Sequence, residues 1–150
     1  MKHLKTFESI FNNDNNNYKM EFPPEVFKLY ECLYLLVKNM KSIFPTNEFY
    51  RQVIITDNRD VDKDLGYKSY SIVLNTYYYF VFQIDYKSDG MWIKYTSGRG
   101  EIYNELLKIE PFFDIVADKH TEFGWCFDRN KFLKEINNID TYINVNKYNL

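Results

Sequence analysis

Residues 67–96 read YKSYSIVLNTYYYFVFQIDYKSDGMWIKYT, and the fold turns on this stretch. Along Tyr77–Lys87 the residues Tyr78, Phe80, Phe82, Ile84 and Tyr86 fall on one side, and Tyr77, Tyr79, Val81, Gln83, Asp85 and Lys87 on the other. Alternation with period two marks a strand with one buried face. Asn75-Thr76 before it and Asp89-Gly90 after it are hairpin breaks, and Asp-Gly suits a type I′ turn. The stretch therefore predicts three antiparallel strands, Tyr67–Leu74, Tyr77–Lys87 and Met91–Thr96, with Phe80, Phe82 and Ile84 in the core.

Upstream, Phe22-Pro23-Pro24 sets up a helix start, because proline is tolerated in a first helical turn. Val26, Leu29, Tyr30, Leu33, Leu36, Val37, Met40, Ile43 and Phe44 follow at steps of three and four. That spacing predicts a helix over Pro24–Phe44, stopped by Pro45, with an apolar stripe wide enough to pack on a sheet. Cys32 and Met40 fall beside the stripe as core filler. Before it, Leu4, Phe7, Ile10 and Phe11 predict a short amphipathic helix, and residues 12–21 an Asn-rich flexible loop. Phe49–Thr56 alternates as a strand. The polar loop Asp57–Gly66 superficially matches a calcium-binding loop, but Leu65 stands where that loop needs glycine and Ser71 where it needs glutamate.

Downstream, Ser97-Gly98-Arg99-Gly100 feeds a helical pattern of Ile102, Leu106 and Ile109. Free N–H groups at such a turn can hold an anion or nucleotide phosphate, which makes Ser97, Gly98, Arg99 and Gly100 candidate anion ligands. Two glycines there serve equally to turn a strand into a helix. Pro111–Ala117 reads as a short strand, Asp118–Thr121 as a turn, and Glu122–Phe127 as a strand with Phe123, Trp125 and Phe127 on one side. Asp128 suits the N-cap of a helix running to Ile139. Residues 141–150 read as an edge strand or a loosely docked tail. The pattern as a whole predicts one α+β domain over residues 1–150: an antiparallel meander of four to six strands packed against one long helix and shorter ones.

Composition narrows the function classes. The chain has 150 residues, a formal net charge of −2, and 14 Tyr and 13 Phe against a single alanine, Ala117. A net charge near zero lacks the basic footprint of a nucleic-acid binder. Cys32 and Cys126 have no CxxC context and read as buried free thiols of a reducing, cytoplasmic compartment. No apolar run reaches the roughly 18 residues of a membrane span, and Met1-Lys2-His3-Leu4 lacks the apolar core of a signal peptide. His3 and His120 are far apart, and no nucleophile context or clustered zinc-ligand set accompanies them. Nothing in the sequence asks for a cofactor.

Asp85-Tyr86-Lys87 closes a strongly apolar strand, with Asp64 at the mouth of the strand before it. With a helix on either side, this resembles the Asp…Asp/Glu-x-Lys arrangement of the PD-(D/E)xK nuclease superfamily. The resemblance spans Val26 to Glu110 and implies metal-dependent cleavage, with Asp64 and Asp85 holding a divalent ion and Lys87 polarising water. No proline precedes Asp64, and the helix-borne Glu or Gln of that superfamily has no counterpart. The leading reading is therefore non-catalytic: a small protein-binding module that blocks or neutralises another protein, as an immunity protein, an antitoxin or a phage-encoded inhibitor of host defence does. Its expected contact surface is the second face of the long strand, Tyr77, Tyr79 and Gln83 with Trp92 and Lys94 beside them, because rigid aromatic area tipped by hydrogen-bonding groups suits recognition.

Overall fold

The computed structural model describes residues 22–37, 52–74, 79–96 and 101–142. The expected helix over residues 1–11, the Asn-rich loop, residues 38–44 of the long helix, the Asn75-Thr76 turn and the Ser97–Gly100 turn lie outside these residues. The fold is α+β. A six-stranded antiparallel sheet runs in the order β1-β2-β3-β4-β6-β5, built from β1 (Val53–Asp57), β2 (Lys68–Leu74), β3 (Tyr79–Lys87), β4 (Gly90–Tyr95), β5 (Lys119–Thr121) and β6 (Gly124–Phe127). Packed on one face are α1 (Pro24–Val37), α2 (Glu101–Leu106), α3 (Glu110–Val116) and α4 (Arg129–Glu135).

The long helix α1 obeys its periodicity: Val26, Leu29, Tyr30, Leu33, Leu36 and Val37 are all buried. The Tyr30 hydroxyl carries a hydrogen bond across to the Val53 carbonyl at 2.7 Å, tying the helix to the edge strand. At the other end of the sheet the core is aromatic. Phe113 of α3 meets Phe82, Trp125 and Phe127 at centroid distances of 6.3, 5.0 and 5.5 Å, and Phe127 meets Phe132 of α4 at 5.1 Å. Such edge-to-face and tilted pairs add to simple burial. Asp128 caps α4 as expected, accepting from the Lys131 N–H at 2.9 Å. Cys32 and Cys126 are buried free thiols.

Four local expectations are corrected. Phe82 and Ile84 are fully buried, but Phe80 is only half-buried. The pairing jumps from Ile72↔Phe82 to Val73↔Phe80, which leaves Val81 as an extra residue in β3. This β-bulge reverses the in–out phase, so Val81 joins Phe82 in the core and Phe80 turns to the opposite face. Second, residues 110–116 form a helix, not a strand. Pro111 occupies its first turn, and Phe112, Phe113 and Val116 are buried at helical spacing while Ile115 is 65% exposed. Third, the second hairpin is shifted. His120 lies within β5, the turn falls at Glu122-Phe123, and Phe123 is exposed rather than aligned with Trp125 and Phe127. Gly124 takes φ +113° where a Cβ would lie 2.5 Å from the Ile93 carbonyl oxygen, so glycine is required there. Similarly, Lys87↔Gly90 pairing puts Ser88-Asp89 at the first hairpin's tip, one residue before the expected Asp89-Gly90. Fourth, residues 141–142 of the expected tail continue a helical turn, with the Tyr142 ring 5.2 Å from Phe112, and residues 143–150 lie outside the described residues.

Candidate functional site

Among the described residues all four helices sit on one side of the sheet, and the strands' other side is a second face. Its residues follow from the register. Moving across the sheet, Ile54, Val73 and Phe80 form an apolar row. Thr56, Ser71, Gln83 and Lys94 form a polar row beside it. Ser69, Asp85, Trp92, Cys126 and Lys119 form a third. The bulge at Val81 is what brings Phe80 into the apolar row, because without it Phe80 would point to the helices.

A directional chain of hydrogen bonds stiffens the centre of this face. The Ser71 hydroxyl donates to Asn58 Oδ1 at 3.0 Å, Asn58 Nδ2 to Ser69 Oγ at 2.7 Å, and Ser69 Oγ to Asp85 Oδ1 at 2.5 Å. Gln83 Nε2 donates to both oxygens of Asp85, at 3.2 and 3.1 Å. Ser69, Ser71 and Asp85 are buried, and each finds a partner inside the chain, which is what a buried polar group requires. A linked set of this kind fixes side-chain positions more firmly than isolated pairs do.

At one end of the face, Trp92 donates its indole N–H to Asp89 Oδ1 at 2.8 Å, and Lys119 Nζ lies 5.3 Å above the indole ring and 3.4 Å from Asp89 Oδ2. The Trp92 hydrogen bond, followed by that of Lys119, holds the Asp89 carboxyl below its ordinary value. At the other end, Lys94 Nζ sits 5.6 Å over the half-buried Phe80 ring. Lys87 Nζ lies over Tyr67 at 5.5 Å and over Phe123 at 5.8 Å.

Of the expected contact residues, Gln83, Trp92 and Lys94 do share this face. Trp92 is only 7% exposed, so it offers this face little area. In the register Tyr79 pairs with Leu74, on the other side of the bulge from Gln83. Tyr77 lies outside the described residues, as do Ser97, Gly98, Arg99 and Gly100. Sequence reading missed Phe80, Ser69, Ser71 and Asn58 as members of the face. The Lys68–Leu74 alternation carries a signal for the serines, since small polar residues at 69 and 71 flank buried Tyr70 and Ile72.

Asp64, Asp85 and Lys87 are not gathered into a catalytic set by any interaction among the described residues. Asp64 is exposed on a loop, its N–H donating to Asp62 Oδ1 at 3.2 Å. Asp85 is engaged by Ser69 and Gln83, and Lys87 by aromatic rings. Among the described residues no group of three or more His, Cys, Asp or Glu side chains is placed to hold a metal ion.

A second charged cluster lies on the helix side. Glu25, in the first turn of α1, is fully buried and accepts from the Tyr86 hydroxyl and from Arg129 Nε at 2.9 and 3.0 Å. Burial, then the bond to Glu25, pushes the Tyr86 hydroxyl well above its ordinary value of 10.0. The cluster joins residues 25, 86 and 129 and so locks α1, β3 and α4 together; nothing local in the sequence announces it. Compared with protein-family models, with curated proteins and with solved structures, the chain matches none. Among the described residues, no helix is long and apolar enough to cross a membrane.

Proposed function

We propose that the chain is a non-catalytic protein-binding module that blocks or neutralises the protein it holds, and that the sheet face opposite the four described helices is the contact surface. The observation that supports this most is the bulge-directed row Ile54–Val73–Phe80 lying beside Gln83 and Lys94. Half-buried apolar area next to fixed polar groups is the composition of a binding patch. The hydrogen-bonded chain through Asp85 pre-orders the patch, so little side-chain freedom is lost on association. An immunity protein, an antitoxin or a phage-encoded inhibitor of host defence works by such stoichiometric contact, acting in the reducing cytoplasm where the free thiols of Cys32 and Cys126 persist.

The test is affinity capture from cells of the native host, using the intact chain and three variants. Phe80→Asp and Lys94→Glu alter the proposed face, and Ile115→Asp alters the exposed side of α3. The expected result is one protein retained stoichiometrically by wild type and Ile115→Asp, and lost from the two face variants while each keeps its fold. Retention by Phe80→Asp and Lys94→Glu, or loss from Ile115→Asp alone, would refute the assignment of the face.

A further inference from the structure

The sheet face opposite the described helices carries an unequal set of charges. The register puts Lys94 beside Gln83 and Lys119 in line with Cys126, Trp92 and Asp85, and Lys87 follows Asp85 two positions on along β3. Among the described residues the strand positions of this face thus bear three lysines and one carboxylate, Asp85. That carboxylate is buried, and both its oxygens are taken by Ser69 and Gln83. The acidic loop after β1, with Asp57, Asp60, Asp62 and Asp64, leaves the sheet at the edge opposite Lys119. The chain has a formal net charge of −2, so this face departs in sign from the molecule as a whole.

Each of these lysines rests on an aromatic ring. Lys94 Nζ is 5.6 Å from the centre of Phe80, Lys87 Nζ 5.5 Å from that of Tyr67, and Lys119 Nζ 5.3 Å from that of Trp92. A ring face attracts an ammonium without using up its three N–H donors. Neither Lys87 nor Lys94 forms an ion pair with another described residue. Lys119 pairs with Asp89 at 3.4 Å, but both side chains are about half exposed, and such a pair is weak enough to exchange for another partner. Three positioned ammonium groups therefore stand beside the apolar row of Ile54, Val73 and Phe80.

We propose, resting on the contact face assigned above, that its partner is a protein presenting a cluster of aspartate or glutamate carboxylates beside an apolar ridge. The carboxylates meet Lys87, Lys94 and Lys119, and the ridge seats on Ile54, Val73 and Phe80. Complementary charge of this kind steers encounter and rejects wrong partners more than it adds affinity. A nucleic acid fits less well. It brings one charge about every 1.7 Å of duplex and calls for a basic footprint, which three lysines on a net-acidic chain do not supply. Phe80 is half-buried under Lys94 and Trp92 is almost fully buried, so neither ring is open for a base to stack on.

The probes are a blocked heptapeptide of leucines and glutamates, its counterpart with glutamine in place of glutamate, and a single strand of thymidines. Each is titrated into the intact chain and followed by backbone amide shifts in NMR spectra. The glutamate peptide should saturate with a Kd of about 1 mM and shift the amides of Gln83, Trp92 and Lys94, with the glutamine peptide roughly tenfold weaker and the thymidine strand weaker still. Raising the salt from about 0.05 M to about 0.5 M should weaken the glutamate peptide severalfold and leave the glutamine peptide unchanged. A Lys87→Met/Lys94→Met/Lys119→Met variant, which keeps an apolar stem over each ring, should bind the two peptides equally. The salt dependence of wild type keeps the test decisive if that variant unfolds. Absence of saturable binding by the glutamate peptide, equal affinity for the two peptides in wild type, undiminished glutamate preference in the methionine variant, or tighter binding of the thymidine strand would each overturn the proposal. Phe80→Asp separates this failure from failure of the face. Equal binding of both peptides that Phe80→Asp abolishes discards only the acidic partner, whereas amide shifts confined to another surface discard the face as well.

Discussion

Phe80 and Phe82 are two residues apart on one strand, and simple alternation makes them equivalent. The bulge at Val81 makes them opposite, and paired truncations measure the difference. Phe82 is 0% exposed, with Phe113 6.3 Å away in edge-to-face contact and Ile72 opposite it in the register. Phe82→Ala removes a ring from a site that water cannot refill, at a cost of about 3–5 kcal/mol. Phe80 is half-buried, so its truncation forfeits about 1 kcal/mol of transfer free energy. Loss of the contact under Lys94 adds about 0.5 kcal/mol at such an accessible site. The two variants should therefore differ by at least about 1.5 kcal/mol. Urea unfolding followed by tryptophan fluorescence resolves this: with a slope near 1.5 kcal/mol per molar, the midpoints separate by about 1 M or more. Equal losses would mean that the strand runs unbulged with both rings in the core. The row on the proposed contact face would then carry Val81 in place of Phe80.

Three further outcomes follow from the same geometry. Glu25→Ala leaves the Tyr86 hydroxyl without its acceptor and should cost about 2–3 kcal/mol; in a Tyr86→Phe background the same change should cost measurably less, and a double-mutant cycle showing no coupling would break the cluster apart. Gly124→Ala should cost at least about 2 kcal/mol because of its positive φ and the Ile93 carbonyl, whereas Gly66→Ala, with nothing near its would-be Cβ, should be almost neutral in thermal unfolding. Tyr86 keeps its proton in the folded chain above the pH at which the unfolded chain releases it, so the stability it confers is complete below pH 10 and declines as pH rises beyond it. One such group lowers stability by up to about 1.4 kcal/mol per pH unit; denaturant midpoints from pH 9 to 11 should fall less steeply in Tyr86→Phe, and parallel curves would refute the assignment.

Whatever repeats with a regular period or sits at a fixed offset was legible in the amino-acid order alone. The stripe Val26–Val37 determined α1, alternation determined the strands around residues 68–74 and 82–87, and Asp128 determined the start of α4. Each of these signals is local, because a helix or strand buries one face at a spacing its own backbone sets. Contacts between distant elements settled what no period encodes. The apolar run at Pro111–Val116 fits a strand as well as a helix until Phe113 is seen filling the space among Phe82, Trp125 and Phe127. Which hairpin residue turns was settled by the close approach of Gly90 to Cys126 and of Gly124 to Ile93, contacts between strands distant in sequence. The bulge at Val81 inserts one residue into an otherwise perfect alternation, so Val81 and Phe80 exchange the faces the pattern assigns them. The candidate face inherits that exchange: Gln83, Trp92 and Lys94 were legible on it, while Phe80 and the Asn58–Ser69–Asp85 chain were not. Glu25, Tyr86 and Arg129 meet only because three elements fold onto one point, where a buried carboxylate must find its partners.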